Sequence, residues 1–398
     1  MKKKKIVFMA ITMNIGGTEK ALLSLLEAIP QDSYDITLLL LEKKGGFLAD
    51  LPAHVTVKTV DHYEEIAAAL HEAPITNMKN EWRQRQYKQA CITAMYALIS
   101  KWRKERSLFY KHLLRRHPKE QEEYDLAVAY AGPMELITYY IANHVKAKVK
   151  VQWIHFDISK IGFNPSFAKR WYPFFQKIFI VSQEGKAKLN RVLPQVKERT
   201  DVFTNMISKA ALLKASEEES VFVDHFQGIT LVTVGRLSLE KGQDMAISVT
   251  AKLRKEGYPI RWYCIGEGNA RATYEQLIRE AKLEESFHLV GATTNPYPYM
   301  KACDVYVQPS RHEGYCITLS EAKCFHVPIV TTDFTGASEQ IRHEQTGIIV
   351  PPTEEGLYEG LKKLLDHPER WASFRNELMN EAENKAESQT VHQLLNLM

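Results

Sequence analysis

The chain has few cysteines, and their number is odd: Cys91, Cys264, Cys303, Cys316 and Cys324. None forms a C-x-x-C pair or has a histidine at zinc spacing, so neither a disulfide framework nor a structural zinc site organises the fold. They read as reduced thiols of a cytoplasmic protein, several at core positions. No apolar run reaches the roughly 20 residues needed to span a bilayer, so any membrane contact is peripheral. The net charge is only +4, too weak a balance to point to nucleic acid. No complete G-x-G-x-x-G is present, which weighs against a dehydrogenase. Short repeats and low-complexity tracts are also missing.

What is present is a rhythm of strand, loop and helix. The basic start, Met1 to Lys5, runs into Ile6-Val7-Phe8-Met9-Ala10-Ile11. That could pass for a leader segment, but the apolar run is short and Asn14-Ile15-Gly16-Gly17 follows it, so a strand and glycine loop is the better reading. Strands are expected at 5–12, 34–41, 55–60, 124–130, 148–155, 177–181 and 201–205. After a linker at Ala211 to Ser220 the series restarts at 229–234, 261–265, 287–290, 305–308, 329–332 and 347–350. Continuous apolar runs of this length fit parallel strands buried on both faces. The 398 residues therefore divide into two Rossmann-like α/β halves, expected at 1–205 and 206–377, with a helical tail at 378–398.

One stretch interrupts the rhythm. Glu81 to Glu120 holds eleven Lys/Arg against three acids, with Trp82, Tyr87, Tyr96, Trp102, Phe109 and Tyr110 interleaved. Basic residues beside Trp and Tyr suit an anionic membrane surface. Ala94, Met95, Leu98 and Ile99 between the charges read as core-facing, so a solvated helical hairpin explains the same pattern.

In open α/β sheets ligands bind beyond the carboxyl ends of the strands, which directs attention to the loops there. Gly16-Gly17 after the first strand either lets a ligand approach the backbone at a helix start or simply makes a tight turn. Gly235-Arg236 and Lys241, after the first strand of the second half, form a plausible diphosphate clamp of guanidinium fork, ammonium and helix dipole. Gly266-Glu267-Gly268, half of a dinucleotide motif, is a loop approaching a nucleotide or simply a turn. Glu313 and Glu321 flank Gly314, Tyr315, Cys316 and Ile317. The two carboxylates could accept hydrogen bonds from sugar and ribose hydroxyls, or be a helix cap and a surface acid. His155, with Asp157 two residues on, ends a strand of the first half. It serves there as a structural hydrogen-bonder or as a group at a reaction centre.

Taken together these segments resemble glycosyltransferase family 4, retaining enzymes with the GT-B fold of two Rossmann-like domains whose parallel sheets face each other across a cleft. The resemblance rests on Gly16 to Lys20, His155, Asn205, VGRLSLEKGQD at Val234 to Asp244, IGEG at Ile265 to Gly268, LVG at Leu289 to Gly291, and the E-x7-E pair Glu313 and Glu321. It implies an acceptor-binding first domain, a donor-binding second domain, and a last helix that crosses back onto the first. It implies a nucleoside diphosphate sugar as donor, most readily UDP-linked, and a glycan or lipid-linked acceptor. Arg236 and Lys241 would hold the diphosphate, with Gly17 along it, Glu321 the ribose and Glu313 the transferred sugar, near His155. No resident cofactor and no essential metal are expected, in keeping with the lack of a DxD run. The expected place is the cytoplasm, with 81–120 at the inner face of the plasma membrane. An epimerase or hydrolase on the same fold, or a non-catalytic partner subunit, is the rival reading. Two departures stand out: His326 occupies the usual glycine place in EAKCFHVP, and the usual GFGLP is GYCIT here.

Overall fold

The computed structural model describes residues 3–398 apart from 62, 72–81, 84, 86, 117–118, 161, 218–220, 223–225 and 383–388. Two wholly parallel sheets organise it. The first contains β1 (Lys4–Ala10), β2 (Tyr34–Leu40), β3 (Val55–Thr59), β4 (Glu123–Gly132), β5 (Lys146–Ile154), β6 (Lys177–Ile180) and β7 (Thr200–Val202), in the order β3-β2-β1-β4-β5-β6-β7. The second contains β8 (Ile229–Val234), β9 (Ile260–Ile265), β10 (Phe287–Gly291), β11 (Val305–Gln308), β12 (Ile329–Thr332) and β13 (Ile348–Val350), in the order β10-β9-β8-β11-β12-β13. Every expected strand is found. Each order reverses direction once, between β1 and β4 and between β8 and β11, and ligands of doubly wound sheets bind at such switch points.

The strands read as unbroken apolar runs because their alternate residues enter two different cores. In β1, Ile6, Phe8 and Ala10 pack with helix α1 (Gly17–Ala28), through Leu22, Leu23, Leu25 and Leu26. Val7 and Met9 face the opposite layer. That layer contains α2 (Tyr63–His71), α4 (Ser107–Leu113), α5 (Glu135–Asn143) and α6 (Pro165–Trp171), and α3 (Tyr87–Arg103) lies outside it, against α4. After α7 (Gln183–Val192), the second half repeats the design around α8 (Lys209–Ala215), α9 (Gln243–Lys255), α10 (Arg271–Glu280), α11 (Tyr297–Ala302), α12 (Ile317–Lys323), α13 (Ala337–Gln340), α14 (Glu354–Leu365) and α15 (Glu369–Ala382). The last helix, α16 (Gln389–Leu395), buries Val391, Leu394 and Leu395 in the core of the first sheet. The crossing falls later than residue 378, since Leu378 still packs in the second core.

Two expectations need correction. The segment expected as a linker is helical over its first half: Ser208 Oγ accepts from the Ala211 amide at 3.3 Å and so caps α8, and Leu212 is buried in the second core. Its residues 218–220 lie outside those described. In α3, Met95 and Leu98 face solvent, 47% and 71% exposed, because Ala90 and Thr93 on the opposite side make the inward contact. Glu81, the first residue of the basic stretch, lies outside the described residues.

His326 stands at φ 54° just past the end of α12, and its Nε2 is enclosed without a partner. This left-handed position is where a glycine would incur no Cβ penalty. We expect His326→Gly to raise stability by about 0.5–1 kcal/mol, the relief of the left-handed strain less the entropy that glycine adds to the unfolded chain. A urea melt reads this directly, and a lower midpoint would show that the imidazole packs better than its strain costs.

Candidate functional site

The switch-point loops of the second sheet are laced together. Gly242 ends the loop after β8 at φ 73°, and a Cβ there would lie 2.0 Å from the Pro309 carbonyl oxygen in the loop after β11. No other residue fits that approach. Arg311 forks onto Asp244 at 2.6 and 2.7 Å and donates to the Leu239 carbonyl at 2.7 Å. The result is a rigid floor beside the N-terminus of α9.

On this floor Lys241 Nζ meets Glu313 Oε1 at 2.6 Å. Burial alone would lower the ammonium, but the adjacent Glu313 carboxylate more than offsets it, and Lys241 stands above its ordinary value. Gly235 lies against the Lys241 side chain, at 3.7 Å from its Cδ to an added Cβ, and Gly266 rests on the Gly235 carbonyl. Arg236 remains exposed. It faces Glu19 of the first half, a carboxyl raised by burial and partly restored by its own backbone amide and by Arg236. Four of the expected residues, Gly235, Arg236, Lys241 and Glu313, are thus neighbours.

Glu321 lies on α12, 4% exposed. Burial pushes its carboxyl up to about 7, against the opposing effects of a hydrogen bond from Tyr297 (2.9 Å) and of Lys20. Lys20 belongs to the first half. Its ammonium sits 5.6 Å from the Tyr297 ring centroid and 5.4 Å from that of Phe47. Neither Tyr297 nor Lys20 was singled out from the sequence as a site residue. The position of Tyr297, just beyond the carboxyl end of β10, was the available signal.

The first half closes over this floor. Gly16 precedes α1, and Gly17 opens it against Ile317, where a Cβ would lie 2.8 Å from the isoleucine Cγ2. Gly314 lies on the backbone of His155, and a Cβ there would sit 1.9 Å from the His155 carbonyl oxygen. The His155 ring is enclosed among Tyr130 and Trp153. Burial takes it down to about 3, opposed by the Tyr130 backbone, so it is a neutral imidazole at neutral pH, and neither ring nitrogen has a well-formed hydrogen bond. Tyr315 accepts from Gln340 through its backbone carbonyl. With Asn205 it borders a cavity of about 690 Å³ lined by both halves. Cys316 takes a left-handed conformation, and burial pushes its thiol far up, which makes it inert.

A polar clasp holds the halves together beside the cleft. Asp157 accepts from Thr335 at 2.6 Å and from Lys188 at 2.8 Å. Glu339 accepts from the amides of Gln183 and Glu184 at 2.9 and 2.8 Å, at the N-terminus of α7. Burial would raise Asp157, but the donors Lys188, Thr335 and Ser159 prevail and hold it far below the usual carboxylate range. Asp157 was noticed only as the neighbour of His155.

The architecture is that of the GT-B fold. The chain superposes on the Anabaena HepE protein in complex with UDP-glucose at a TM-score of 0.72, with 16% identity, over 99% of this chain and all of that one. Residues 218–385, the second half, match the model of the family described as glycosyl transferases group 1. Among curated proteins, an N-acetylgalactosamine-N,N'-diacetylbacillosaminyl-diphospho-undecaprenol 4-alpha-N-acetylgalactosaminyltransferase of Campylobacter jejuni is 27% identical over 46% of this chain and 49% of its own length. The alpha-D-kanosaminyltransferase of Streptomyces kanamyceticus is 33% identical over 34% and 36%. The match spans less than half the length of these relatives.

The raised Glu321 carboxyl has a consequence for stability. Its folded value of about 7 lies above the ordinary carboxylate value, so the folded state holds this proton more tightly. Stability therefore falls as pH rises from about 4.5 to 7 and stays lowered above that. We expect Glu321→Gln to match the wild type near pH 4.5 and to exceed it by about 1–3 kcal/mol at pH 8. Denaturant melts at the two pH values measure the gap, and a gap that does not grow with pH would contradict it.

Proposed function

We propose that the protein is a retaining glycosyltransferase that moves a sugar, a hexose or N-acetylhexosamine, from a UDP-sugar to a glycan or lipid-linked acceptor in cell-surface polysaccharide or glycoconjugate synthesis. The observation that carries this reading is the convergence of Arg236, the Lys241–Glu313 pair and buried Glu321 at the switch point of the second sheet. The UDP-glucose complex of HepE and the lipid-linked substrate in the name of the Campylobacter relative support the choice of donor and acceptor.

In this reading Arg236, Lys241 and the N-termini of α1 and α9 stabilise the negative charge that grows on the leaving diphosphate. Glu321 accepts from the ribose hydroxyls. Glu313 and neutral His155 hold hydroxyls of the transferred sugar as its anomeric carbon becomes oxocarbenium-like. Gly16, Gly17, Gly235, Gly266 and Gly314 let backbone approach the donor, with Tyr315, Cys316 and Ile317 along the sugar. The apposed halves limit hydrolysis by excluding water. The sugar nucleotide is a co-substrate, and no resident cofactor or essential metal takes part in the reading.

The reading is tested by thermal shift against UDP, GDP, ADP and their sugars, followed by product analysis with and without acceptor. We expect Arg236→Ala to weaken UDP binding by about 1.5–3 kcal/mol and to leave uridine binding nearly unchanged, because the guanidinium meets phosphate oxygens. Equal losses for UDP and uridine, read by calorimetry, would sink the clamp.

The membrane is the proposed partner of α3. Cys91, Met95, Leu98 and Trp102 recur at helical spacing on one exposed stripe, with Trp102 81% exposed. Exposed Lys88, Lys101, Arg103, Lys104 and Arg106 flank it. An apolar stripe edged by cations suits an anionic bilayer surface. No helix among the described residues is long and apolar enough to cross a membrane. Co-sedimentation with anionic vesicles at low salt is expected, and is expected to be lost in a Leu98→Glu, Trp102→Glu variant. Equal binding to neutral vesicles at high salt, or no binding at all, would remove this partner and leave the transferase reading intact.

A further inference from the structure

Behind Glu313 runs a chain of enclosed polar side chains that the reading above does not use. Tyr306, Gln308 and Ser310, at the end of β11 and just beyond, are each 0% exposed. The Tyr306 hydroxyl lies 2.7 Å from Gln308 Oε1, and the Thr318 hydroxyl 3.2 Å from the same atom. Gln308 Nε2 is 2.8 Å from Ser310 Oγ, which is 2.7 Å from Glu313 Oε1. Thr332 Oγ1 lies 2.5 Å from the Ser310 carbonyl oxygen, to which it donates, and 3.2 Å from that of Gln308, which ties β12 to the backbone on which the chain stands.

The direction of these bonds follows from the charge at their end. Glu313 Oε1 also receives the Lys241 ammonium at 2.6 Å, so the carboxylate is ionised and can only accept. If the Gln308 amide were reversed, Ser310 would spend its one proton on the amide oxygen. Its lone pairs would then face a carboxylate oxygen at 2.7 Å, which is repulsive. With Gln308 Nε2 donating to Ser310, the serine proton goes to Glu313, and Tyr306 and Thr318 both donate to Gln308 Oε1. Each hydroxyl hydrogen then has an acceptor, and one of the two Gln308 amide hydrogens goes to Ser310.

We infer that Gln308 and Ser310 are positioning residues that deliver a one-way hydrogen bond to Glu313 Oε1, pinning its carboxylate so that Oε2 is presented to the bound sugar. The two donors on Oε1, Ser310 and Lys241, fix the carboxylate plane from two sides. The inference about the carboxylate's orientation stands on the geometry alone. Its value for catalysis rests on the proposed function. The titratable groups around Glu313 are Lys241 and Cys316, and Arg236 acts on Lys241 in turn.

The test therefore has two arms. In the first, crystal structures of the full chain without ligand compare the orientation of the Glu313 carboxylate in the wild type and its variants. Loss of the Ser310 donor frees Oε1 on one side, and we expect Ser310→Ala to turn the carboxylate plane away from its wild-type orientation. Ser310→Thr keeps the hydroxyl and should restore it. Gln308→Glu makes Ser310 donate backwards and should release the carboxylate as well, which provides a second variant should Ser310→Ala fold poorly. In the second arm, UDP-glucose serves as probe. Acceptor-free release of UDP should fall roughly tenfold in kcat in Ser310→Ala, with UDP affinity held within about twofold, since a charge-assisted bond is lost at the sugar and not at the diphosphate. A Glu313 carboxylate that keeps its wild-type orientation in both Ser310→Ala and Gln308→Glu, or that is as displaced in Ser310→Thr as in the alanine variant, overturns the relay. A wild type that binds neither UDP nor UDP-glucose overturns the donor reading instead, and the first arm still decides the relay.

Discussion

The part-buried contact between Lys241 and Glu313 is the constraint on which the arrangement of the second half depends. Two ions removed from water carry a large desolvation cost, recovered only when their geometry is good and further hydrogen bonds satisfy the remaining sites. Here the ammonium follows β8 and the carboxylate follows β11, strands that are adjacent only because the sheet order reverses between them. Holding them 2.6 Å apart requires both loops to be rigid. The Arg311–Asp244 fork, the Gly242–Pro309 approach and the Ser310 hydroxyl each add stiffness. Deleting Lys241 would leave the Glu313 carboxylate with the Ser310 hydroxyl as its donor, and deleting Glu313 would leave a part-buried ammonium without its counter-ion. The pair therefore binds fold and site into one energetic unit.

Across the cleft the same logic is carried by shape and by shared protons. Gly314 and Gly17 leave no room for a side chain between the halves, so the loops meet backbone to backbone and helix to side chain. The Asp157, Lys188 and Thr335 group and the Glu339 contact with the start of α7 orient one half against the other. Lys20 reaches from the first half to Tyr297 and Glu321 of the second. Neither half alone contains the full set of charges around the cleft.

The strands were legible in the sequence because burial on both faces leaves an apolar run that needs no partner to be recognised. The loops after them were legible because parallel topology places them at one edge. Which face of α3 is buried was not legible. Its stripes of Ala90 and Thr93 and of Met95, Leu98 and Trp102 are both compatible with a core, and only the packing of α4 decides between them. The roles of Gln308, Ser310 and Tyr297 were hidden for a related reason. A hydroxyl or amide has many possible partners, and its actual one depends on which strands the topology makes neighbours. The misread linker shows the reverse case, in which a run of acids after α8 drew attention from a short helix with one buried leucine and a serine cap.

Glu321 shows why the site is not built for stability. A carboxyl enclosed on α12 with one phenol hydroxyl and a lysine from the other half is far from the ionic environment that water would supply. A fold selected only to persist would place leucine or glutamine there. The same incomplete satisfaction recurs at His155, whose two enclosed ring nitrogens lack good partners. Buried polar groups left short of hydrogen bonds cost about 1–3 kcal/mol each. Enclosed polar atoms without partners also occur away from the cleft, at Asn190, Tyr274 and His326 among others, but His155 and the raised Glu321 carboxyl lie on its two sides. At these two groups, in the proposed reading, a hydroxyl-rich ligand would relieve a local cost of the fold. A ligand that supplies the missing donors and acceptors then gains affinity from groups that the empty protein holds at a loss.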